Sequence, residues 1–157
     1  MMVFFKEHLL KLLLTFMPLF IAFCLASIFV SLSLIHFYWG LGGMWGKAAS
    51  LPTKETGEKI IYPNMWECFA VAMALMGCGV FVLCIVNPSI FQMPSWLKVY
   101  GLWTLSILFI LRAVGEFRYV GFFKKVTSTP FAKSDTQLYS PLCLAIGLLA
   151  IILRLLV

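Results

Sequence analysis

Most side chains of this 157-residue chain that could take part in chemistry fall in three short segments, which begin at His36, Arg112 and Phe131. Their types include a histidine and two carboxylates, which can act as general acids or bases, and an arginine, which binds anions. We take His36, Asp135 and Glu116 as candidate catalytic groups. The candidate ligand-binding residues are His36, Tyr38, Trp39, Gly42, Gly43, Arg112, Glu116, Phe131, Asp135 and Tyr139.

Arg112 and Glu116 lie four residues apart, which on a helix places them on one face within pairing distance. The simpler interpretation is an interfacial ion pair, because an arginine at the edge of a bilayer needs a carboxylate or a phosphate. The alternative is that Arg112 binds an anionic head group or substrate and Glu116 orients it. Both interpretations predict that Arg112 is intolerant of replacement.

His36 ends a long apolar run and allows two interpretations. It is either a hydrogen-bonded interfacial residue, or an acid/base group or metal ligand with Asp135 as its orienting partner. The chain contains neither H-x-x-x-H nor H-E-x-x-H, so we predict no metal site and no cofactor. Ser140 and Asp135 occur without a G-x-S-x-G motif, which argues against Ser/His/Asp hydrolysis.

The segment after His36 combines aromatic rings with glycines. Tyr38, Trp39 and their neighbours are typical of an interfacial aromatic belt, with a ligand-binding box as the alternative. The end of a helix needs one glycine, whereas this segment has four. We therefore expect its backbone to approach a ligand or another helix closely. The four are Gly40, Gly42, Gly43 and Gly46.

The composition determines which elements must position these residues. The chain is 62% apolar and 11% charged, which is more apolar surface than a soluble domain of this size can bury. We predict an all-α membrane protein, a four-transmembrane-helix bundle with two longer loops on one side, as one domain over residues 1–157. The predicted helices span about 12–36, 65–86, 96–118 and 140–157.

Four spans imply a parity rule: the end of helix one, the start of helix two, the end of helix three and the start of helix four share one membrane side. The candidate residues should therefore face one interface. Eight of the 12 Lys/Arg lie on this side, which predicts cytoplasmic long loops in a cell (inner) membrane protein. The net charge of +6 suits anionic lipid head groups, and we expect no nucleic-acid partner.

Helix contacts are predicted from small residues and short connections. Ala70, Ala74 and Cys78 recur every fourth residue with Gly77 beside them, which favours close helix packing at this face. The five cysteines lie in or next to apolar runs and are interpreted as packing residues. The short connection over residues 87–94 makes the second and third helices antiparallel neighbours.

Three ordered blocks of the sequence resemble a known family. They are H-x-Y-W-x-x-G-G from His36, R-A-V-G-E-F from Arg112, and F-A-x-x-D-x-x-x-Y-S-P-L-C from Phe131. The chain is similar over most of its length to a family of small bacterial integral membrane proteins that is defined as a domain of unknown function. This resemblance implies a four-helix membrane bundle and no particular activity.

Three functions are compatible with these features. The first is a membrane protein that binds a lipid head group, a small ligand or a protein partner at a polar interfacial site formed by the ends of helices one, three and four. The second is a small membrane-embedded enzyme acting on a lipid-like substrate, with His36 as acid/base, Arg112 as anion clamp and Asp135 or Glu116 orienting. The third is a small-molecule transporter assembled from several copies, which requires a homo-oligomer.

Overall fold

The computed structural model describes the backbone of residues 2–157 and the side chains of residues 15–157. Within that part the fold is all-helical, apart from one isolated bridge between Thr53 and Lys59. Four helices are long and apolar enough to cross a membrane, which confirms the predicted fold class. The elements are α1 (Met2–Gly40), α2 (Lys47–Ser50), α3 (Met65–Val86), α4 (Ser95–Val114), α5 (Pro130–Ser134), a π-helical turn (Asp135–Tyr139) and α6 (Ser140–Leu156).

The bundle is built from two helix pairs, α1 with α3 and α4 with α6, which meet where α1 contacts α6. Its core contains Phe29 of α1, Val82 of α3, Leu102 of α4 and Ile146 of α6, all with no exposed surface. Small residues set the closest approaches. A Cβ at Gly147 of α6 would lie 2.6 Å from an Ile110 side-chain carbon, so α4 and α6 pack almost backbone to backbone there.

The small-residue face of α3, which lies toward α4, is more exposed than predicted. Ala70, Ala74 and Gly77 are exposed, and the latter two line an open groove of about 440 Å³ between these helices. The prediction of close helix packing at this face is therefore wrong for Ala70, Ala74 and Gly77 within the bundle, whereas Cys78 is partly buried against the core. The opposite face, with Ala72 and Gly79, is buried, and Gly79 lies against α1. Both faces of α3 carry small residues, and the sequence pattern does not tell which face meets a neighbouring helix.

The third spanning helix is shorter than predicted. It ends at Val114, four residues before the expected end, because Gly115 adopts a left-handed φ of 85° that takes the chain out of the helix. A Cβ on Gly115 would overlap the carbonyl of Val120, so the chain turns back on itself at this point. The amide of Phe122 then donates to the carbonyl of Ala113 at 2.8 Å, which ties the loop to the helix end.

The fourth spanning helix begins earlier than predicted. Helical structure starts at Pro130 and continues through the π-helical turn to Leu156, so Asp135 and Tyr139 lie on a helix and not in a loop. A helix predicted from about residue 140 has Pro141 in its first turn, and Pro141 does occupy the first turn of α6, although the π-helical turn continues the helix before it. A proline has no amide hydrogen and interrupts the α-helical hydrogen-bond pattern, and the π turn lies directly before it.

Candidate functional site

Asp135 is the centre of the polar network at this end of the bundle. Its side chain has no exposed surface. One carboxylate oxygen accepts a hydrogen bond from Arg112 Nη2 at 3.0 Å. The other accepts from Lys124 Nζ at 3.0 Å, the Gly121 amide at 2.8 Å and Ser140 Oγ at 3.1 Å. Four donors from three segments of the chain therefore satisfy one buried carboxylate, as burial of a charge requires.

The π-helical turn allows Ser140 to join this network. In an α-helix, residues five apart point about 140° away from each other around the axis. The wider π turn brings residues five apart onto nearly the same face, and the Ser140 amide bonds to the Asp135 carbonyl. As a result the Ser140 hydroxyl donates to the carboxylate of Asp135. Ser140 is fully buried in this contact, so its hydroxyl serves the network rather than an open cavity.

Lys124 is the principal residue that sequence reasoning missed. Only 2% of its side chain is exposed, and its ammonium group donates to Asp135, to Thr136 Oγ1 at 2.6 Å and to the Gly121 carbonyl at 2.9 Å. All three ammonium hydrogens are therefore bonded. Its position in a polar loop next to Lys125 made it look like a solvated charge. The only available signal was that a carboxylate at a membrane interface needs a cationic partner.

Arg112 pairs with Asp135 and not with Glu116. The predicted pair with Glu116 is wrong because the helix ends at Val114, so the four-residue spacing no longer lies on one helical face. Glu116 instead accepts the Tyr119 amide at 2.6 Å in the loop. Arg112 keeps 37% of its side chain exposed, and its Nη1 has no hydrogen-bond partner among the described residues. Two cations, Arg112 and Lys124, face the single carboxylate of Asp135, so the cluster carries a net positive charge.

His36 is oriented by its own helix. Its Nδ1 lies 2.8 Å from the carbonyl of Leu32, one turn earlier, and its ring meets Trp39 edge to face at 5.0 Å. The hypothesis that Asp135 orients His36 is therefore wrong, because all the hydrogen bonds of that carboxylate go to other groups. In the neutral ring this geometry places the proton on Nδ1 and leaves Nε2 as a hydrogen-bond acceptor.

The glycine-rich segment folds over the end of α1. Gly42 and Gly46 have positive φ values of 94° and 71°, which let the chain reverse direction. A Cβ on Gly43 would overlap the ring of Tyr38, so this glycine admits close packing of the segment on its own helix. Trp39 Nε1 then donates to the carbonyl of Trp45 at 2.8 Å. Gly43 thus brings the backbone close to the segment's own aromatic rings. Gly40 lies against the Phe69 ring of α3, which confirms the predicted close approach to another helix at that position.

A cavity of about 390 Å³ opens between α1, α4 and α6 beneath this segment. Its polar lining comes from Arg112, His36, Tyr139 and Ser50, while Trp39 and Trp45 contribute aromatic walls. Its remaining wall is largely aliphatic. A second cavity of about 310 Å³, which is a shallow and open groove, lies deeper along α1 and α6. Leu32 and Leu142 line both cavities, so the two adjoin.

The predicted ligand-binding residues separate into three groups. His36, Trp39, Arg112 and Tyr139 line the cavity, and Asp135 lies directly behind Arg112. Phe131 is buried beside it, with its ring 6.2 Å from that of Tyr139. The remaining residues lie outside the cavity lining; they are Tyr38, Gly42, Gly43 and Glu116.

The fold and this end of the bundle define a multi-pass membrane protein with a buried carboxylate and two cations beside an interfacial cavity. The chain belongs to the family described as protein of unknown function (DUF3995), whose model matches residues 29–150. This match confirms the family resemblance. The matched range includes all the residues that line the cavity. No curated protein and no solved structure matches the chain.

Proposed function

We propose that this protein binds an anionic lipid, with the phosphate of the head group at Arg112 and an acyl chain along α1 and α6. The observation that carries the proposal is that the two cavities lie side by side, with Leu32 and Leu142 lining both. From His36 to Ser27 the α1 helix descends about 14 Å at 1.5 Å per residue, which takes the deeper cavity into the hydrocarbon region. A free phosphate ion has no acyl chain that could occupy the deeper cavity.

The charges favour an anion. Asp135 uses one of its oxygens for Arg112 and the other for three further donors, and Lys124 supplies a second positive charge. The cluster around Arg112 therefore keeps a net positive charge, and the side chain of Arg112 lines the cavity. Its Nη1 is buried and has no hydrogen-bond partner among the described residues. A phosphate accepts the strong, charge-assisted hydrogen bonds that a guanidinium offers. The His36 ring also lines the cavity, and a ring nitrogen can form a hydrogen bond with a hydroxyl group on the head group.

The test is lipid binding to the purified protein in detergent, measured by native mass spectrometry with phosphatidylglycerol and phosphatidylcholine. Arg112→Gln should lower the affinity for phosphatidylglycerol by about tenfold or more, because a hydrogen bond to a charged group contributes roughly 1.5–3 kcal/mol. Lys133→Gln is the matched control, since it removes one exposed positive charge outside the cavity. Equal losses in both variants would contradict the proposal.

Two further measurements separate a lipid from a soluble anion. Leu142→Trp should fill space where the two cavities adjoin and weaken binding of the intact lipid more than that of glycerol phosphate. Inorganic phosphate should compete with phosphatidylglycerol only weakly. If glycerol phosphate binds as tightly as the lipid, the site recognises a soluble phosphate and the acyl-chain part of the proposal fails.

We also propose that both long loops, and with them the cavity, face the cytoplasm of a cell whose inner membrane holds the protein. Eight of the 12 Lys/Arg lie on this side, which is the side that positive charges favour. The count of four for the other side includes Lys6 and Lys11, whose side chains are outside the described residues. A fusion of alkaline phosphatase after Val157 should be active, and an inactive fusion of a stably expressed protein would reverse the orientation.

A further inference from the structure

The loop that joins α4 to α5, residues 115–129, exposes a group of aromatic side chains. Phe117 is 56% exposed, Phe122 42% and Phe123 65%. The rings of Phe117 and Phe123 lie 6.4 Å apart, so they form one apolar projection, which we call the aromatic wedge (Phe117, Phe122 and Phe123). Exposed cations flank it on both sides, Arg118 and Lys125.

The backbone holds the wedge in place. Among the described residues, Phe117 is the only non-glycine residue with a positive φ, at 66°, which is an unusual conformation for a bulky side chain. The loop is closed by the Phe122 amide on the Ala113 carbonyl and by the Val126 amide on the Arg118 carbonyl at 3.0 Å. Backbone strain persists only where the surrounding structure enforces it, and here the enforced conformation presents an aromatic ring outward.

Lys124 determines which way the loop faces. It is buried and bonded to Asp135, whereas its neighbours Phe123 and Lys125 are both exposed. The ion pair therefore pulls one side of the loop into the bundle and leaves the aromatic side pointing away from it. The loop begins at the end of one membrane-spanning helix and ends at the start of another, so it lies near the membrane interface.

We propose that the aromatic wedge inserts into the head-group region of the bilayer and that Arg118 and Lys125 bind the phosphates of anionic lipids beside it. Aromatic rings favour this zone, and each basic side chain near an anionic surface adds to the attraction. The rigid loop needs little further ordering to insert, so binding loses little conformational entropy. This surface is separate from the cavity at Arg112, and its occupant is the lipid surface itself rather than one bound lipid molecule.

Photo-crosslinking in nanodiscs of phosphatidylcholine with a minority of phosphatidylglycerol tests the insertion. The photoreactive analogue p-benzoylphenylalanine is placed at position 123, where it replaces an exposed phenylalanine and disturbs no recorded hydrogen bond. Position 108 is the lipid-facing control, because Leu108 is 60% exposed on membrane-spanning α4. Position 56 is the water-facing control, because Thr56 is exposed in the charged turn between Lys54 and Glu58.

Intact mass spectrometry then counts lipid adducts. We expect the yield at position 123 to be close to that at position 108 and several-fold above that at position 56. A yield equal to that at position 56 would show a water-facing loop, and a cross-link to a second copy of the chain would show a protein interface; either result overturns the proposal. The same label at position 122 repeats the test in case the first variant fails to fold.

A separate measurement tests the role of the two cations, Arg118 and Lys125. With the label at position 123, the double replacement of Arg118→Gln and Lys125→Gln should lower the fraction of phosphatidylglycerol among the adducts to its fraction in the bilayer. With Arg118 and Lys125 in place that fraction should be at least about twofold higher, because basic side chains near the surface attract anionic lipids. An unchanged fraction would overturn the part of the proposal that assigns lipid phosphates to these two cations.

Discussion

Replacement of Asp135 by asparagine should be among the most destabilising conservative changes in the protein. The amide keeps the size of the carboxylate but removes its charge and one of its two acceptor oxygens. Lys124, with 2% of its side chain exposed, would be left as a buried cation without a counter-ion. Arg112, with 37% exposed, can turn toward solvent and loses little. Breaking a buried pair by removing one partner costs about 3–5 kcal/mol, and we expect Asp135→Asn to fall in this range.

The assay is thermal unfolding of the purified protein in detergent, followed by circular dichroism. A loss of this size corresponds to a fall in the midpoint of roughly 10 °C. Glu58→Gln is the matched control, because it removes a carboxylate whose 3.0 Å pair with Lys54 is exposed. This control should change stability by less than about 0.5 kcal/mol.

A double variant tests whether the unpaired charge of Lys124 causes the loss of stability. Lys124→Met removes the cation that Asp135→Asn leaves unpaired, so the combination should recover at least half of the single loss, since a buried ion pair replaced as a whole is often close to neutral. If Asp135→Asn alone is as stable as the parent protein, the buried ion pair does not hold the loop to the helix. If the double variant is no more stable than the single one, the unpaired charge of Lys124 is not the cause of the loss.

Three further replacements probe the fold by the same unfolding measurement. Gly115→Ala should be clearly more destabilising than Gly57→Ala, because both glycines have a positive φ but only the first would overlap a carbonyl; equal effects would contradict the tight turn. Gly147→Ala should separate α4 from α6 and destabilise, whereas Gly77→Ala, with no atom within 4 Å, should be neutral or slightly stabilising. Ser33→Ala removes a 2.7 Å hydrogen bond from α1 to a main-chain carbonyl of α3 and should cost about 0.6–1.7 kcal/mol; no loss would mean that water or another donor replaces it.

The secondary structure and topology were largely predictable. Hydrophobicity and the length needed to span a bilayer are properties of local sequence, so they located four membrane helices without knowledge of any contact. The errors in helix bounds have local backbone causes. Gly115 can continue a helix or leave it, and only the loop that folds back onto it favours leaving. Pro141 could equally stand at a helix start or inside a helix with a π turn before it.

The candidate site was only partly predictable. The parity of the spans placed His36, Arg112, Asp135 and Tyr139 at one end of the bundle, and the structure indeed brings them around or behind one cavity. The ion pairs were not predicted correctly, because the spacing of four residues favoured Glu116 as the partner of Arg112. The actual partner is 23 residues away in sequence.

The sequence by itself therefore determined the class of protein, the number of spans and the gathering of its chemically versatile residues at one end of the bundle. Transfer of apolar residues into lipid is nearly independent of their neighbours, so composition and segment length are sufficient for these properties. Only the tertiary structure decided that Lys124 turns inward and that Arg112 pairs with Asp135. Those choices depend on which groups lose water together, and that depends on how distant segments pack.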